Sequence, residues 1–469
     1  MRPARVQRAL LAVTLAWLAL ATPLEAQTVD FASFYAQVRA NHPVARQARR
    51  LVDVADAERG VALGAFEPVL AATWNAKDLS GTRYEDRTSW KLTVPTPVGV
   101  DVRVGYDRAT GKYLDPSYTT PADGLWSAGV SIPLGQRLLT DERRTALTTA
   151  RALRDAAVGE RDAALNKLLL TAAKDFANWT EAERRAEIAR EGVRLALERS
   201  TAVRARVARG DAAAIDTIEA ALEVERREVT RSEAEAQRFS ARLAVSAHRW
   251  SADGAPDDLP AEARPLPDPM PVLRADADAQ AAWLARAERT HPDLAKLSAK
   301  VRQSEAQRWL ATQGLLPTLS LDLTSLAKDA DGLGKNGEDR KAGVSGYLAP
   351  LLLKDRAKFS AAGAKLDRDR WELARVRREV ELAVRDAVNA LTAIEVQAER
   401  QTRTVALARA LRDGEQRRFE VGESSLLLVN LRERGLLDEE LKLAALAAKR
   451  LAARAALAVA VGDPAMVGM

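Results

Sequence analysis

Asp216 and Glu219 stand three residues apart in a stretch of helical periodicity, so their carboxylates can share one face. Bordering a water-filled passage, such carboxylates favour cations. Bordering bulk water, they are an ordinary solvated helix face. Little else in the chain could do chemistry. There is no cysteine, which excludes disulfides, thiolate metal sites, a cysteine nucleophile and a lipid-anchored cysteine. Three histidines, His42, His248 and His291, are too few and too scattered for a histidine metal cage. His42 and His291 each precede a proline where a helical pattern begins, which reads as helix-entry geometry. No glycine-rich phosphate loop follows a strand pattern, and no serine elbow or metal-ligand spacing is present. Asn178-Trp179-Thr180 spells a glycosylation sequon but lies inside a helical pattern. No catalytic residue, cofactor or metal is therefore expected.

The elements that would position the two carboxylates form an internal repeat. Asn41-His42-Pro43 recurs as Thr290-His291-Pro292, 249 residues on, and each proline is followed 25 residues later by another, Pro68 or Pro317. A β-like patch follows in each copy, ending at Ile132-Pro133-Leu134 or Ala349-Pro350-Leu351, with a basic cluster beyond it. A long helical pattern then runs to a glycine, Gly210 or Gly422, and a further helix returns. The reading places a first repeat over 27–250, with strands at about 69–132, a long helix at about 141–209 and a return helix at about 212–250. The second covers 273–469, with strands at about 318–349, a long helix at about 355–421 and a return helix at about 424–462. Residues 251–272 carry six prolines and form the linker.

Aromatics are 5% of the chain and charged residues 29%, with alanine, leucine, arginine and glutamate abundant. That composition suits long helices packed side by side better than several aromatic-rich cores. Leu165, Leu168, Ala172, Phe176 and Trp179 mark an apolar stripe in the first long helix. Leu366, Leu373, Val376, Val380, Val384, Leu391 and Ile394 mark one in the second. Steps of three and four sustained this far mean coiled-coil packing. At 1.5 Å per residue, each stretch predicts a rod of roughly 100 Å.

The β patches alternate apolar and polar residues with period two. Val100, Val102, Val104 and Tyr106 alternate with Asp101, Arg103 and Gly105; Leu319, Leu321 and Leu323 alternate with Ser320 and Asp322. A half-buried sheet reads this way, and so does a membrane barrel in which lipid replaces the core. Residues 1–26 carry Arg2, Arg5 and Arg8, then an apolar run from Leu10 to Ala21, then Leu24-Glu25-Ala26. They are read as a signal peptide cleaved after Ala26. Beyond them no apolar run reaches the length of a spanning helix. The formal charge of +6 is modest and evenly spread, and does not argue for nucleic acid.

The doubled order of motifs resembles the TolC family of outer-membrane efflux channels. The resemblance rests on the Asn-His-Pro helix start, Phe66-Glu67-Pro68-Val69-Leu70, and the strand exits Ser131-Ile132-Pro133-Leu134 and Leu348-Ala349-Pro350-Leu351. It rests also on the turns Arg206 to Asp211 and Arg418 to Ser425. It implies a mainly helical fold with a β-barrel portion: tandem copies of helix, strands, long helix, turn and helix, three chains forming one tube. It further implies a homotrimer in the outer membrane of a Gram-negative bacterium with a periplasmic extension. A periplasmic adaptor and an inner-membrane transporter would be its partners, in efflux or type I secretion. The glycine turns would then hold the closed aperture and meet the adaptor. Asp216, six residues past Gly210, falls where the family often carries an aperture aspartate, with Glu219 one turn on. Six past Gly422 stands Leu428 instead of an acid, with Asn430 nearby, implying a partly apolar ring. Arg209, Gly210, Asp211, Gly422, Glu423 and Ser424 are the residues expected to meet the adaptor.

One departure stands out. Pro68 and Pro133 enclose 64 residues, room for four strands at 69–77, 88–94, 99–108 and 125–132, whereas Pro317 and Pro350 enclose 32. The usual family pattern has two strands per copy. Either the barrel is wider, or a hairpin lies outside its wall. The competing reading is a soluble periplasmic coiled-coil scaffold or adaptor whose strands pack into a small domain.

Overall fold

Helix entries follow capping chemistry. Asp30 caps the first helix, accepting from the Ser33 backbone N–H at 2.9 Å. At the two His-Pro sites the imidazole does the capping. His42 Nδ1 accepts from Val44 N at 3.2 Å, and His291 Nδ1 accepts from Asp293 N at 3.3 Å. The proline sits at the first helical position, where its missing N–H leaves no bond unmade. The structure, a computed structural model, describes residues 28–266, 273, 276–333 and 339–467. The expected signal peptide and the end of the proline-rich linker lie outside the described residues.

In chain order the elements are β1 (Thr28–Val29), α1 (Phe31–Asn41), α2 (Pro43–Gly64), β2 (Val69–Leu79), β3 (Thr82–Pro95), β4 (Asp101–Thr110) and β5 (Leu125–Pro133). Then follow α3 (Glu142–Ala208), α4 (Ala214–Ser246), β6 (Arg264–Pro265), α5 (Ala277–Thr290) and α6 (Pro292–Gln313). β7 (Thr318–Ala327), β8 (Arg340–Tyr347), α7 (Leu353–Glu420) and α8 (Leu426–Val461) complete the chain. The mainly helical fold class with a sheet portion is borne out. Helices α3 and α7 run unbroken for 67 and 68 residues. Neither contains a proline, and isolated glycines cost too little to break a helix that packs along its length.

The chain divides into two units. One takes the residues up to Arg46, Ala164–Ala287, and Leu382 onward. Its core joins α1 to the helices around it. Phe31, Phe34, Tyr35 and Val38 meet Leu169, Ala172, Phe176 and Trp179 of α3, Val245 of α4, and Leu451, Ala455 and Ala458 of α8. Phe31 and Phe176 meet edge to face at 5.4 Å, as do Phe176 and Trp179 at 5.6 Å. Alanines among these contacts let the helix backbones approach closely. Within the linker, Arg264–Pro265 pairs in parallel with Thr28–Val29.

The other unit takes Gln47–Ala163 and Glu288–Glu381. Here six strands form one sheet in the order β2-β3-β4-β5-β7-β8, every pairing antiparallel. The stretch between the strands expected at 69–77 and 88–94 is not a loop but the end of a hairpin. β2 and β3 stay paired from Val69↔Thr93 out to Leu79↔Thr82, and only Ser80 and Gly81 turn, both with positive φ. A two-residue turn of that kind matches strand twist, so no longer loop is needed.

Candidate functional site

The sheet register sorts its side chains into two faces. Opposite residues of an antiparallel pair project to the same side. One row reads Trp90, Tyr106, Trp126 across β3, β4 and β5. Two residues along comes Leu92, Val104, Ala128. Two further comes Val94, Val102, Val130, Leu323, Ala342 across five strands. Ile132, Leu321 and Val344 follow. None of these apolar residues is buried: Trp90 is 48% accessible and Val344 72%, as is Trp74 of β2 at 68%, while Val104, Tyr106, Trp126 and Ile132 are half-buried. The intervening rows are polar. Thr93, Arg103, Gly129, Thr324 and Lys341 form one, and Asp101, Ser131, Asp322 and Gly343 another. Arg103 Nη1 donates to Asp322 Oδ1 at 3.0 Å, Arg143 Nη1 to Asp101 Oδ1 at 3.2 Å, and the Ser320 and Ser345 hydroxyls lie 2.7 Å apart.

The two glycine turns, both in the other unit, share one geometry. Gly210 and Gly422 have φ of 81° and 83°, where a side chain is disfavoured. Asp211 N donates to Arg206 O and Gly210 N to Val207 O, both at 2.9 Å; Glu423 N donates to Arg418 O at 2.8 Å and Gly422 N to Phe419 O at 3.1 Å. That is the Schellman pattern, which satisfies the last helical carbonyls. Val203, Ala220 and Leu426 are buried together with Val207 and Phe419 around them, and the Arg206 guanidinium lies 5.1 Å from the Phe419 ring. The two turns are thus packed against each other within one chain.

The sequence-predicted site residues fall in distinct settings. Asp216 and Glu219 lie in the first turns of α4, both half-buried. Leu427 and Leu428 are exposed, while Leu426 and Val429 are buried. Asn430 is buried, its side-chain oxygen accepting from Arg199 Nη1 at 2.8 Å. Arg209 Nε donates to Asp211 Oδ2 at 3.1 Å, with both side chains largely in solvent. Glu423 is exposed, and Ser424 Oγ donates to Glu415 Oε1 at 2.5 Å.

A charge cluster near the turns escaped the sequence reading. Glu433 of α8 is 1% exposed. Its Oε2 accepts from Arg199 of α3 at 2.5 Å and from Arg227 of α4 at 2.9 Å. Arg227 also donates to Glu223 Oε1 and to the Gly192 carbonyl, each at 2.9 Å, and Arg434 closes on Glu223. Burial pushes the Glu223 carboxyl up, but hydrogen bonds from Arg434 and Arg227 outweigh it and hold the group below the usual range. Three helices are tied by charges that are costly to separate once buried. Arginine and glutamate at such spacing equally fit a solvated helix face, so the sequence carried no distinguishing signal. Among the described residues no group of three or more His, Asp or Glu is placed to hold a metal ion, and no helix is long and apolar enough to cross a membrane.

Comparison with known proteins matches residues 283–463 to the outer membrane efflux protein family. No curated protein matches the chain. Solved structures match almost its whole length. The open-state MtrE outer membrane channel of Neisseria gonorrhoeae superposes with a TM-score of 0.63 at 18% identity, over 92% of this chain and 88% of that one. The outer membrane protein VceC of Vibrio cholerae gives 0.62 at 16%, over 92% and 95%. The CmeC outer membrane channel of Campylobacter jejuni gives 0.61 at 13%, over 92% and 85%. The resemblance drawn from the ordered motifs is borne out, and the fold is that of these channels.

Proposed function

We propose that this chain, matched by the outer membrane efflux family through its second repeat and sharing its fold with solved outer-membrane channels, is the outer-membrane subunit of an efflux or type I secretion duct. One observation carries the reading: a sheet with a continuous apolar face that nothing among the described residues buries, a polar opposite face and two free edges. In water that face would be an aggregation surface. In lipid it is the outer wall, with the polar face turned to a wet lumen. From the Trp126 row to the Ile132 row is six residues, roughly 20 Å along a strand, the scale of an outer-membrane apolar band. Trp90, Tyr106 and Trp126 suit the girdle at its edge. A soluble scaffold with a packed β domain would have to bury these rings, yet Trp90 is exposed and Tyr106 and Trp126 are only half-buried.

Open sheet edges are not tolerated in hydrocarbon, so several copies must share one wall. We take three, as the family resemblance implies, working with a periplasmic adaptor and an inner-membrane transporter. Conduction is read as passive: among the described residues no set for chemistry accompanies the wall. The aperture lies at the glycine turns, with Asp216 and Glu219 as a carboxylate ring and Leu428 as an apolar one. Asn430, spent on Arg199, positions α8 behind that ring. Arg209, Gly210, Asp211, Gly422, Glu423 and Ser424 present the surface for the adaptor.

The test is reconstitution of the detergent-extracted protein in planar bilayers. The expected result is a heat-modifiable oligomer with discrete conductance steps that prefer cations, and a lower preference in Asp216→Asn. A freely soluble monomer without conductance would remove the channel reading. Conductance with unchanged selectivity in the variant would remove Asp216 alone.

A further inference from the structure

We infer that all six strands, including the extra hairpin β2–β3, stand in the shared wall, and that β2 of one copy pairs with β8 of the next. Three copies then close an eighteen-stranded barrel rather than the twelve-stranded one that two strands per repeat would make. The inference rests on the channel reading above and specifies how its wall is built.

The hairpin is continuous with the wall by three observations. β3 and β4 pair without a register break from Asp86↔Thr110 to Pro95↔Asp101, and peeling them apart in lipid would strand the backbone groups that bond across that seam. The apolar face crosses that seam in register, Trp90 to Tyr106, Leu92 to Val104 and Val94 to Val102. A hairpin standing outside the wall in water has no use for such a face. β2 carries the face onward with Leu70 and Trp74, both exposed.

The edges point to a second copy as the occupant. Soluble proteins blunt sheet edges with charge, proline or bulges. β2 from Val69 to Ala76 holds no charge and no proline, and its bulge falls only at Lys77/Asp78, beyond the aromatic row. β8 from Ala342 to Tyr347 is equally bare. Both strands are exposed along their whole length. With an even number of strands per copy, β2 and β8 run in opposite directions, so each junction between copies is an ordinary antiparallel pair and the ring closes. At a strand spacing of about 4.8 Å and a tilt near 40°, eighteen strands give a wall radius of roughly 18 Å against roughly 12 Å for twelve. The outer mouth has about twice the cross-section.

The absence of cysteine makes disulfide mapping clean. In the full-length oligomer, cysteine pairs are introduced between β2 (Ala71, Thr73, Asn75) and β8 (Lys341, Gly343, Ser345), and separately between β4 (Arg103, Asp107) and β8. The expected result on oxidation is covalent dimer and trimer bands, at two and three times the chain mass, along one diagonal of the β2–β8 set and none in the β4–β8 set. Cross-links in the β4–β8 set alone would place the hairpin outside the wall and overturn the inference while leaving the channel intact. Closure within one chain, seen as β2–β8 cross-links without a mass shift, would overturn it too. So would a conducting oligomer that links in neither set. Failure of the oligomer to form or conduct would instead strike the channel reading itself.

Discussion

Trp179 and Trp74 belong to the same chain and meet opposite fates. Trp179 is fully buried beside Phe176 on the core face of α3, whereas Trp74, on the outermost strand of the sheet, is two-thirds exposed. The helical unit makes its own dry interior, because helices packed face to face can cover each other's stripes. The sheet has one apolar face that the described chain leaves bare. An aromatic residue in the first region reports packing within the protein, and in the second it reports the solvent outside.

That contrast can be broken most forcefully in the helical unit. Trp179→Ala should destabilise the helical core by about 3–5 kcal/mol, read as a fall in the thermal midpoint of the helical circular dichroism signal. Trp74→Ala should leave that midpoint unchanged; an equal fall would mean that the sheet is also packed on protein. The next effect is on the sheet. Val102→Arg, in the middle of the apolar band, should cost roughly 2–4 kcal/mol in lipid and abolish the heat-modifiable oligomer, while Ser345→Arg on the polar face should preserve it. Equal tolerance of both would show that the apolar face does not meet lipid.

A smaller effect belongs to the turns. A Cβ at Gly210 or Gly422 would meet nothing within 4 Å, so Gly210→Ala costs only the left-handed backbone, about 1–2 kcal/mol. A much larger loss on chemical denaturation would show that the turn is also held by packing. The smallest effect is a pH dependence confined to the helix entries. Burial, aided by the nearby His248 charge, holds His42 below its ordinary 6.5, and burial does the same to His291 against the opposing pull of Asp293. Both rings cap as unprotonated acceptors. Between the ordinary and native values the unfolded state binds more protons, so stability rises with pH. Their contribution is therefore complete above about 6.5 and is lost as pH falls through the lower native values. The expected result is a modest fall in midpoint between pH 7.5 and pH 5.5, on the order of a few degrees, shallower in the His42→Gln, His291→Gln double variant. An identical slope in that variant would assign the dependence elsewhere.

Much of this was legible in the sequence because it is local. Proline and glycine punctuate the chain through their own backbone limits. Stripes such as Leu168, Ala172, Phe176 and Trp179 repeat at the helical period and are buried in the structure. Val102 and Val104 alternate with Arg103, and the register puts them on opposite faces. The two-residue turn at Ser80-Gly81 was missed because Asp78–Arg87 is polar, and polarity marks a loop only when nothing pairs across it.

Tertiary structure decided what depends on partners far along the chain. Pairing of β5 with β7 joins residues nearly 200 positions apart, and only that seam shows six strands to be one sheet with two open edges. Which arginines and glutamates are buried, as Arg227 and Glu433 are, was decided by which helix faces which. A charged side chain looks the same in sequence whether water or an opposite charge will solvate it. Periodicity is written residue by residue; the medium each face meets is set by the assembled neighbours.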